Sequence, residues 1–313
     1  MSTNSKYTSF PDNSFFDKLL SSGEKLNDIF DGTDLISRCY SEDKNRPIRV
    51  RVGNKYNYVA NGYLLFDNWF VWAREFQEDE EFTYAYRRLD AEGRIEGAVL
   101  LRRNGNYITR EEFISVEYAT HVESGKYAIV KQKNGLLNII DLTTGLKAEE
   151  EGINADCIRY ASLNYPDSGL FKVAIGNIKG LHDYEWDHLD EYADKGVKCN
   201  LYCFGQGILS PSMWFDYIES FTYYFDGYDY GMHKYAIVHL NGKLNVIKQN
   251  GHVLSERWFD VASVTVENEV IVGLLKSESL GYLRDLTEDF EYNPDKYELF
   301  KIDKYGRIKQ LER

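Results

Sequence analysis

The stretch Tyr235-Ala-Ile-Val-His-Leu-Asn241-Gly242-Lys243-Leu-Asn245-Val-Ile-Lys-Gln-Asn250-Gly251-His-Val-Leu-Ser-Glu-Arg-Trp258-Phe259-Asp260 decides the reading of this chain. An apolar run ends in Asn241-Gly242, a dipeptide that tolerates the positive φ angles a two-residue hairpin turn demands. A second run follows, then a second Asn-Gly, then a Trp-Phe pair. The segment therefore predicts a hairpin, a further short strand and an aromatic corner.

The same order recurs along the chain. Lys55-Tyr-Asn57-Tyr-Val, Leu136-Leu-Asn138-Ile-Ile and Lys198-Cys-Asn200-Leu-Tyr match Lys243-Leu-Asn245-Val-Ile. Turn signals precede them at Gly53-Asn54, Asn134-Gly135, Lys195-Gly196 and Asn241-Gly242, and others follow at Asn61-Gly62, Thr144-Gly145, Gln206-Gly207 and Asn250-Gly251. Three copies continue into Trp69-Phe70, Trp214-Phe215 and Trp258-Phe259, with Ala73, Ile218 and Ala262 four places after each Trp. Upstream strands are Ile48-Arg-Val-Arg-Val, Tyr127-Ala-Ile-Val, Phe171-Lys-Val-Ala-Ile and Tyr235-Ala-Ile-Val. Asn200 to Asn245 is 45 residues. Asn57 to Asn138 is 81, two periods, with a degraded unit at Tyr84 to Tyr118, and Asn138 to Asn200 is 62, one period plus an insertion near 177–194. A partial unit closes the chain at Tyr297 to Ile308. A period of about 40 to 45 residues predicts an array, solenoid or propeller. The expectation is an all-β array of five to six units over residues 47–313, an open twisted solenoid in preference to a propeller. One unit cannot bury its apolar face alone, so stacking must supply the core.

These repeats resemble the WG-repeat family, whose units read roughly Asn-Gly-Lys-Trp-Gly-Tyr-Ile-Asp, then a glycine turn and an aromatic-Asp segment. Asn241-Gly-Lys-Leu-Asn-Val-Ile-Lys, Gly251 and Trp258-Phe-Asp260 carry the likeness best, followed by Lys195 to Phe221. The family's Trp-Gly is replaced by Tyr56-Asn57, Leu137-Asn138, Cys199-Asn200 and Leu244-Asn245. Asn is the expected substitute if that glycine holds a left-handed conformation. The resemblance implies a binding or scaffolding array and transfers no catalytic residue.

Residues 1–46 are expected to form an N-terminal helical cap and linker. Phe15, Phe16, Leu19, Leu20, Leu26, Ile29 and Phe30 follow helical spacing, and Ser14 and Asp17 resemble a capping box.

Charge and composition narrow the function. With 37 basic against 50 acidic side chains, the net charge is −13. A field of that sign repels phosphate backbones, so nucleic acid is an unlikely partner. No run of 18 apolar residues predicts a membrane helix, and Met1 to Pro11 lacks the apolar core of a secretory signal. A cytoplasmic protein is expected, or one incorporated in a viral particle. Cys39, Cys157, Cys199 and Cys203 read as small buried hydrophobes of a reduced compartment.

Three clusters are candidate sites. Residues 222–234 exceed the length of this segment in other units, and Tyr223, Tyr224, Asp226, Tyr228, Asp229 and Tyr230 make it a candidate binding loop. His182, Asp183, Asp187 and His188 could ligate a divalent metal, although the two histidines fall on opposite sides of the amphipathic helix that Trp186, Leu189 and Tyr192 suggest. Arg49, Arg51, Arg87-Arg88 and Arg102-Arg103 read as surface charge on alternating strand positions. No nucleophile elbow, phosphate loop or dinucleotide fingerprint is present. The sequence therefore favours a non-enzymatic protein-interaction or structural module of a bacterial or viral assembly, without a cofactor. The alternatives are a glycan- or nucleotide-binding protein using the same tyrosine loop, and a metal-dependent hydrolase.

Overall fold

The computed structural model describes residues 47–52, 54–60, 63–76, 80–119, 126–161, 168–176, 196–219, 221–225, 228–265, 267–276 and 296–311. The expected N-terminal helix lies outside these residues, as do His182, Asp183, Asp187 and His188. The described chain is all-β. It divides into two compact units, one ending at Lys147 and one beginning at Ala148.

The first unit holds three antiparallel meanders. β1 (Ile48–Val52), β2 (Lys55–Ala60) and β3 (Tyr63–Leu64) form the first sheet. β4 (Trp72–Ala73), β5 (Phe82–Leu89) and β6 (Ile95–Arg102) form the second. β7 (Ser115–Ala119), β8 (Tyr127–Lys131) and β9 (Leu137–Asp141) form the third. The stretch Tyr84 to Tyr118, degraded in sequence, keeps its pairing, with Ala85 opposite Val99 and Tyr86 opposite Ala98.

The second unit holds three more sheets. β10 (Cys157–Tyr160), β11 (Leu170–Ile175), β12 (Lys198–Cys203) and β13 (Gly207–Ile208) form the fourth. β14 (Tyr217–Ile218) opens the fifth. β15 (Thr222–Phe225) and β16 (Tyr228–Met232) make a separate two-stranded ribbon. β17 (Tyr235–Leu240) and β18 (Lys243–Lys248) complete the fifth sheet in the order β14-β17-β18. β19 (Val261–Val264), β20 (Val270–Leu275), β21 (Tyr297–Ile302) and β22 (Ile308–Gln310) form the sixth. The partial unit seen at the end of the sequence is thus the outer half of a complete sheet.

Within each unit, cores lie between successive sheets. Tyr58, Phe66, Phe70 and Phe76 pack with Ala85, Val99 and Leu101 between the first and second. Leu100, Ile108 and Phe113 pack with Ala128, Val130 and Ile140 between the second and third. In the second unit, Ala174, Cys199, Leu201 and Phe215 meet Ile218, Phe221, Ala236 and Val238. Val246, Leu254 and Phe259 meet Val270, Val272, Phe300 and Ile302. Within each unit a sheet buries its apolar face on the next, as a repeat too small for its own core must.

The repeat asparagines differ from expectation. Among the described residues, the only non-glycine residues at positive φ are Asn241, at a hairpin turn, and Asn268. Asn57, Asn138, Asn200 and Asn245 lie in strands with ordinary backbone angles and are fully buried. They do not stand in for a left-handed glycine. Their side chains are used instead: each Oδ1 accepts the N–H of the following residue, at 2.7 Å from Tyr58 and 2.8 Å from Ile139, Leu201 and Val246.

Candidate functional site

Three of these asparagine amides fix the loop that leaves their sheet. Asn57 Nδ2 donates to the carbonyls of Phe66 at 2.8 Å and Asn68 at 3.2 Å. Asn200 donates to Ser210 at 2.8 Å and Met213 at 3.0 Å. Asn245 donates to Ser255 at 2.8 Å and Arg257 at 3.0 Å. A buried amide that satisfies two loop carbonyls and one strand N–H leaves the loop little freedom, because breaking any of these bonds strands a polar group away from water.

The loop ends in the aromatic corner. Phe70, Phe215 and Phe259 are fully buried, and each exchanges two backbone hydrogen bonds with the residue before the asparagine: Tyr56, Cys199 and Leu244, at 2.7 to 2.9 Å. The second sheet repeats this with Phe113 and Ala98, although Val99 takes the asparagine position. Asp216 and Asp260 follow two of these phenylalanines and pair with Lys198 and Lys243, two residues before the asparagine. Asp216 also accepts the N–H of Asn241 at 2.6 Å, and Asp260 that of Leu275 at 2.8 Å. Burial works to raise the Asp260 pKa, but the Lys243 ammonium and the Leu275 N–H together hold it below the ordinary carboxylate value.

In the second unit these pinned loops border a groove of about 950 Å³. Its lining comes from Leu209 to Met213, in the loop held by Asn200, from Asn250 to Glu256 with Trp258, in the loop held by Asn245, and from Tyr305 and Gly306, in the turn between β21 and β22. Ser210 Oγ donates to the Gly251 carbonyl and ties the first two segments together. Met213 is 37% exposed and Tyr305 71%. The Tyr305 ring has Lys304 Nζ 5.0 Å and Arg307 Cζ 5.2 Å from its centroid. Asp303 pairs with Arg307 at 2.6 Å and accepts the N–H groups of Tyr305 and Arg307. Although partial desolvation opposes it, these contacts hold Asp303 below its ordinary pKa.

The tyrosine segment is placed as a ribbon. Tyr223 and Tyr224 lie on β15, Tyr228, Asp229 and Tyr230 on β16, with a register shift between Tyr223 and Tyr224. Asp226 lies outside the described residues. The ribbon root adjoins the groove, since Gln249 Nε2 donates to the His233 carbonyl at 2.8 Å and the next residue, Asn250, lines the groove. The earlier aromatics of this stretch, Phe215, Tyr217 and Phe221, belong to the core.

The remaining candidates are local. Arg87 and Arg88 share Glu112, Arg49 pairs with Glu75, and Arg102 donates to the Thr143 carbonyl. Of the cysteines expected to be buried, Cys199 is, and burial pushes its thiol up to about 12, whereas Cys157 and Cys203 are half-buried. Among the described residues there is no group of three or more His, Cys, Asp or Glu side chains arranged to hold a metal, and no helix long and apolar enough to cross a membrane.

No protein-family model matches the chain. No curated protein matches it in sequence. Among solved structures, it is similar to a eukaryotic initiation factor, at 9% identity over 75% of this chain and 69% of that one, with a TM-score of 0.29. It is also similar to the computationally designed Ika8 protein, at 9% identity over 86% and 84%, TM-score 0.26. A third is the WD40 β-propeller domain of Doa1, at 9% identity over 85% and 75%, TM-score 0.24.

Proposed function

We propose that this protein is a non-enzymatic interaction module, a scaffold element of a bacterial or viral assembly, built from WG-like β repeats. The observation that carries the reading is the groove of the second unit, whose walls are equivalent loops of successive repeats fixed from beneath by Asn200 and Asn245. A surface set in advance loses little conformational entropy when a partner covers it, and that favours capture. The binding face comprises this groove and the ribbon bearing Tyr223, Tyr224 and Tyr228, whose root adjoins it. Tyrosine supplies broad contact area at low entropic cost, which suits it to such a face.

The test is affinity capture from the source lysate with the tagged full chain, beside a Tyr223→Ala/Tyr224→Ala/Tyr228→Ala variant and a Trp258→Ala variant. One protein retained by the wild type and lost with either variant, at unchanged melting temperature, supports the reading. Capture of no protein, with a melting temperature that rises on adding a glycan or nucleotide, replaces it with a small-ligand binder.

The unequal insertions near 177–194 and at 222–234 favour an open twisted solenoid over a closed propeller. Small-angle scattering decides this. A compact body of this length has a radius of gyration of about 20 Å, and an open array must exceed it.

A further inference from the structure

We propose that the groove binds an extended acidic peptide segment of a protein partner, with an apolar or aromatic anchor seated against Trp258. This deepens the interaction-module reading and rests on it. The groove volume of about 950 Å³ lies at the upper end of the range for ligand sites and holds several residues rather than one side chain. Its apolar lining is Leu209, Met213, Val253, Leu254 and Trp258. An anchor buried there supplies affinity in the manner of an interface hot spot.

The charge beside Tyr305 selects the partner's sign. Lys304 and Arg307 flank the Tyr305 ring, and Lys248 Nζ reaches the Lys304 carbonyl at 2.8 Å, so three basic residues gather at the turn that gives Tyr305 and Gly306 to the groove. Asp303 offsets Arg307. This turn is positive on a chain whose net charge is −13. Among the lining residues Glu256 is the one carboxylate, and it sits on the loop after β18. Acidic side chains of the segment meet Lys304 and Arg307. Complementary rim charges act chiefly on association rate and choice of partner, whereas the buried anchor governs residence time.

The experiment selects random twelve-residue peptides displayed on phage against the immobilised full chain. Enriched sequences are then synthesised with a fluorescein label and titrated by fluorescence polarisation. The expected sequences carry Asp or Glu beside a Trp, Phe or Leu. Their binding falls at least tenfold with Trp258→Ala and also with Tyr305→Ala, a variant of an exposed residue that leaves the fold intact. Lys304→Glu weakens the same peptide, and replacing the peptide's acidic residues with Lys restores binding to that variant. Enrichment of basic or uncharged peptides, binding indifferent to Trp258 and Tyr305, or no enrichment at all overturns the proposal. If lysate capture still yields a partner in those cases, the module reading stands and only this occupant falls. If neither experiment yields a partner, both fall.

Discussion

Asn245 reaches out of its own strand to the carbonyl of Ser255, 2.8 Å away, and with its second amide proton to that of Arg257 at 3.0 Å. Its Oδ1 meanwhile accepts the Val246 N–H at 2.8 Å, and the whole side chain is buried. Asn245→Ala leaves two carbonyls and one N–H without their partner. Each buried unsatisfied group costs about 1–3 kcal/mol, partly relieved where water enters, so a loss of about 3 kcal/mol in stability is expected. Urea unfolding of the two proteins measures it. The groove wall is released in the same step, so peptide binding must weaken even at temperatures where the variant stays folded.

Asp260 joins two sheets through Lys243 and the Leu275 N–H, and its carboxyl is held below its ordinary value despite the opposing effect of burial. A folded pKa below the unfolded one gives stability that is present above the unfolded value, about 3.9, and lost as pH falls through the folded value. Asp260→Asn is therefore expected to cost roughly 1 kcal/mol at pH 7. The difference in melting temperature from wild type closes as the pH approaches 3. A difference that stays constant from pH 7 to pH 3 contradicts the ion-pair account.

The repeat was legible because its signals are local. Asn134-Gly135 and Asn241-Gly242 announce hairpin turns, and Phe70, Phe215 and Phe259 recur 13 to 15 residues after the asparagines. The groove was not legible. Leu209 to Met213 and Ser255 to Trp258 read as ordinary loops, and the attachment of each to an asparagine ten residues upstream leaves no mark in the loop itself. A clue did exist in the strand: Asn is depleted in strands, so its return at the same mid-strand position in four units required a side-chain role. The backbone explanation was attractive because Asn is the residue that best tolerates positive φ. The observed φ values place that property at Asn241 and Asn268 instead. The Tyr223 to Tyr230 segment drew the eye by composition, and the structure places its root beside the groove that composition did not mark.

Cys199 lies opposite Ala174 between β11 and β12 and is packed in the core with Leu201, Phe215 and Ile218. Burial pushes its thiol up to about 12, so almost no thiolate exists at neutral pH, and the thiolate is the reactive form. Iodoacetamide treatment of the native chain at pH 8, followed by peptide mass spectrometry, must leave Cys199 unmodified. Labelling should appear only when urea unfolds the second unit. Labelling of Cys199 under native conditions at the rate of a free thiol would mean that the packing between the fourth and fifth sheets is not as described.

The turn glycines separate into two classes by what stands over them. Gly135 and Gly242 occupy hairpin turns with no atom within 4 Å of where a Cβ would stand. Gly105, Gly145, Gly251 and Gly306 press on the preceding sheet's loop: a Cβ at Gly105 would stand 2.9 Å from the Leu65 carbonyl oxygen, and one at Gly145 2.5 Å from that of Ile108. Gly251 meets Leu209 and Gly306 meets Leu254 more closely still. All have positive φ, so alanine costs about 1–2 kcal/mol at any of them for the left-handed backbone alone. At Gly251 and Gly306 the methyl group must also drive two packed sheets apart, and overpacking adds about 1–3 kcal/mol. Gly251→Ala and Gly306→Ala are therefore expected to lower the melting temperature well beyond Gly135→Ala, and to distort the groove that both glycines line. Equal losses at the three positions would show that the loops do not bear on one another, and the stacking that holds each unit together would need a different account.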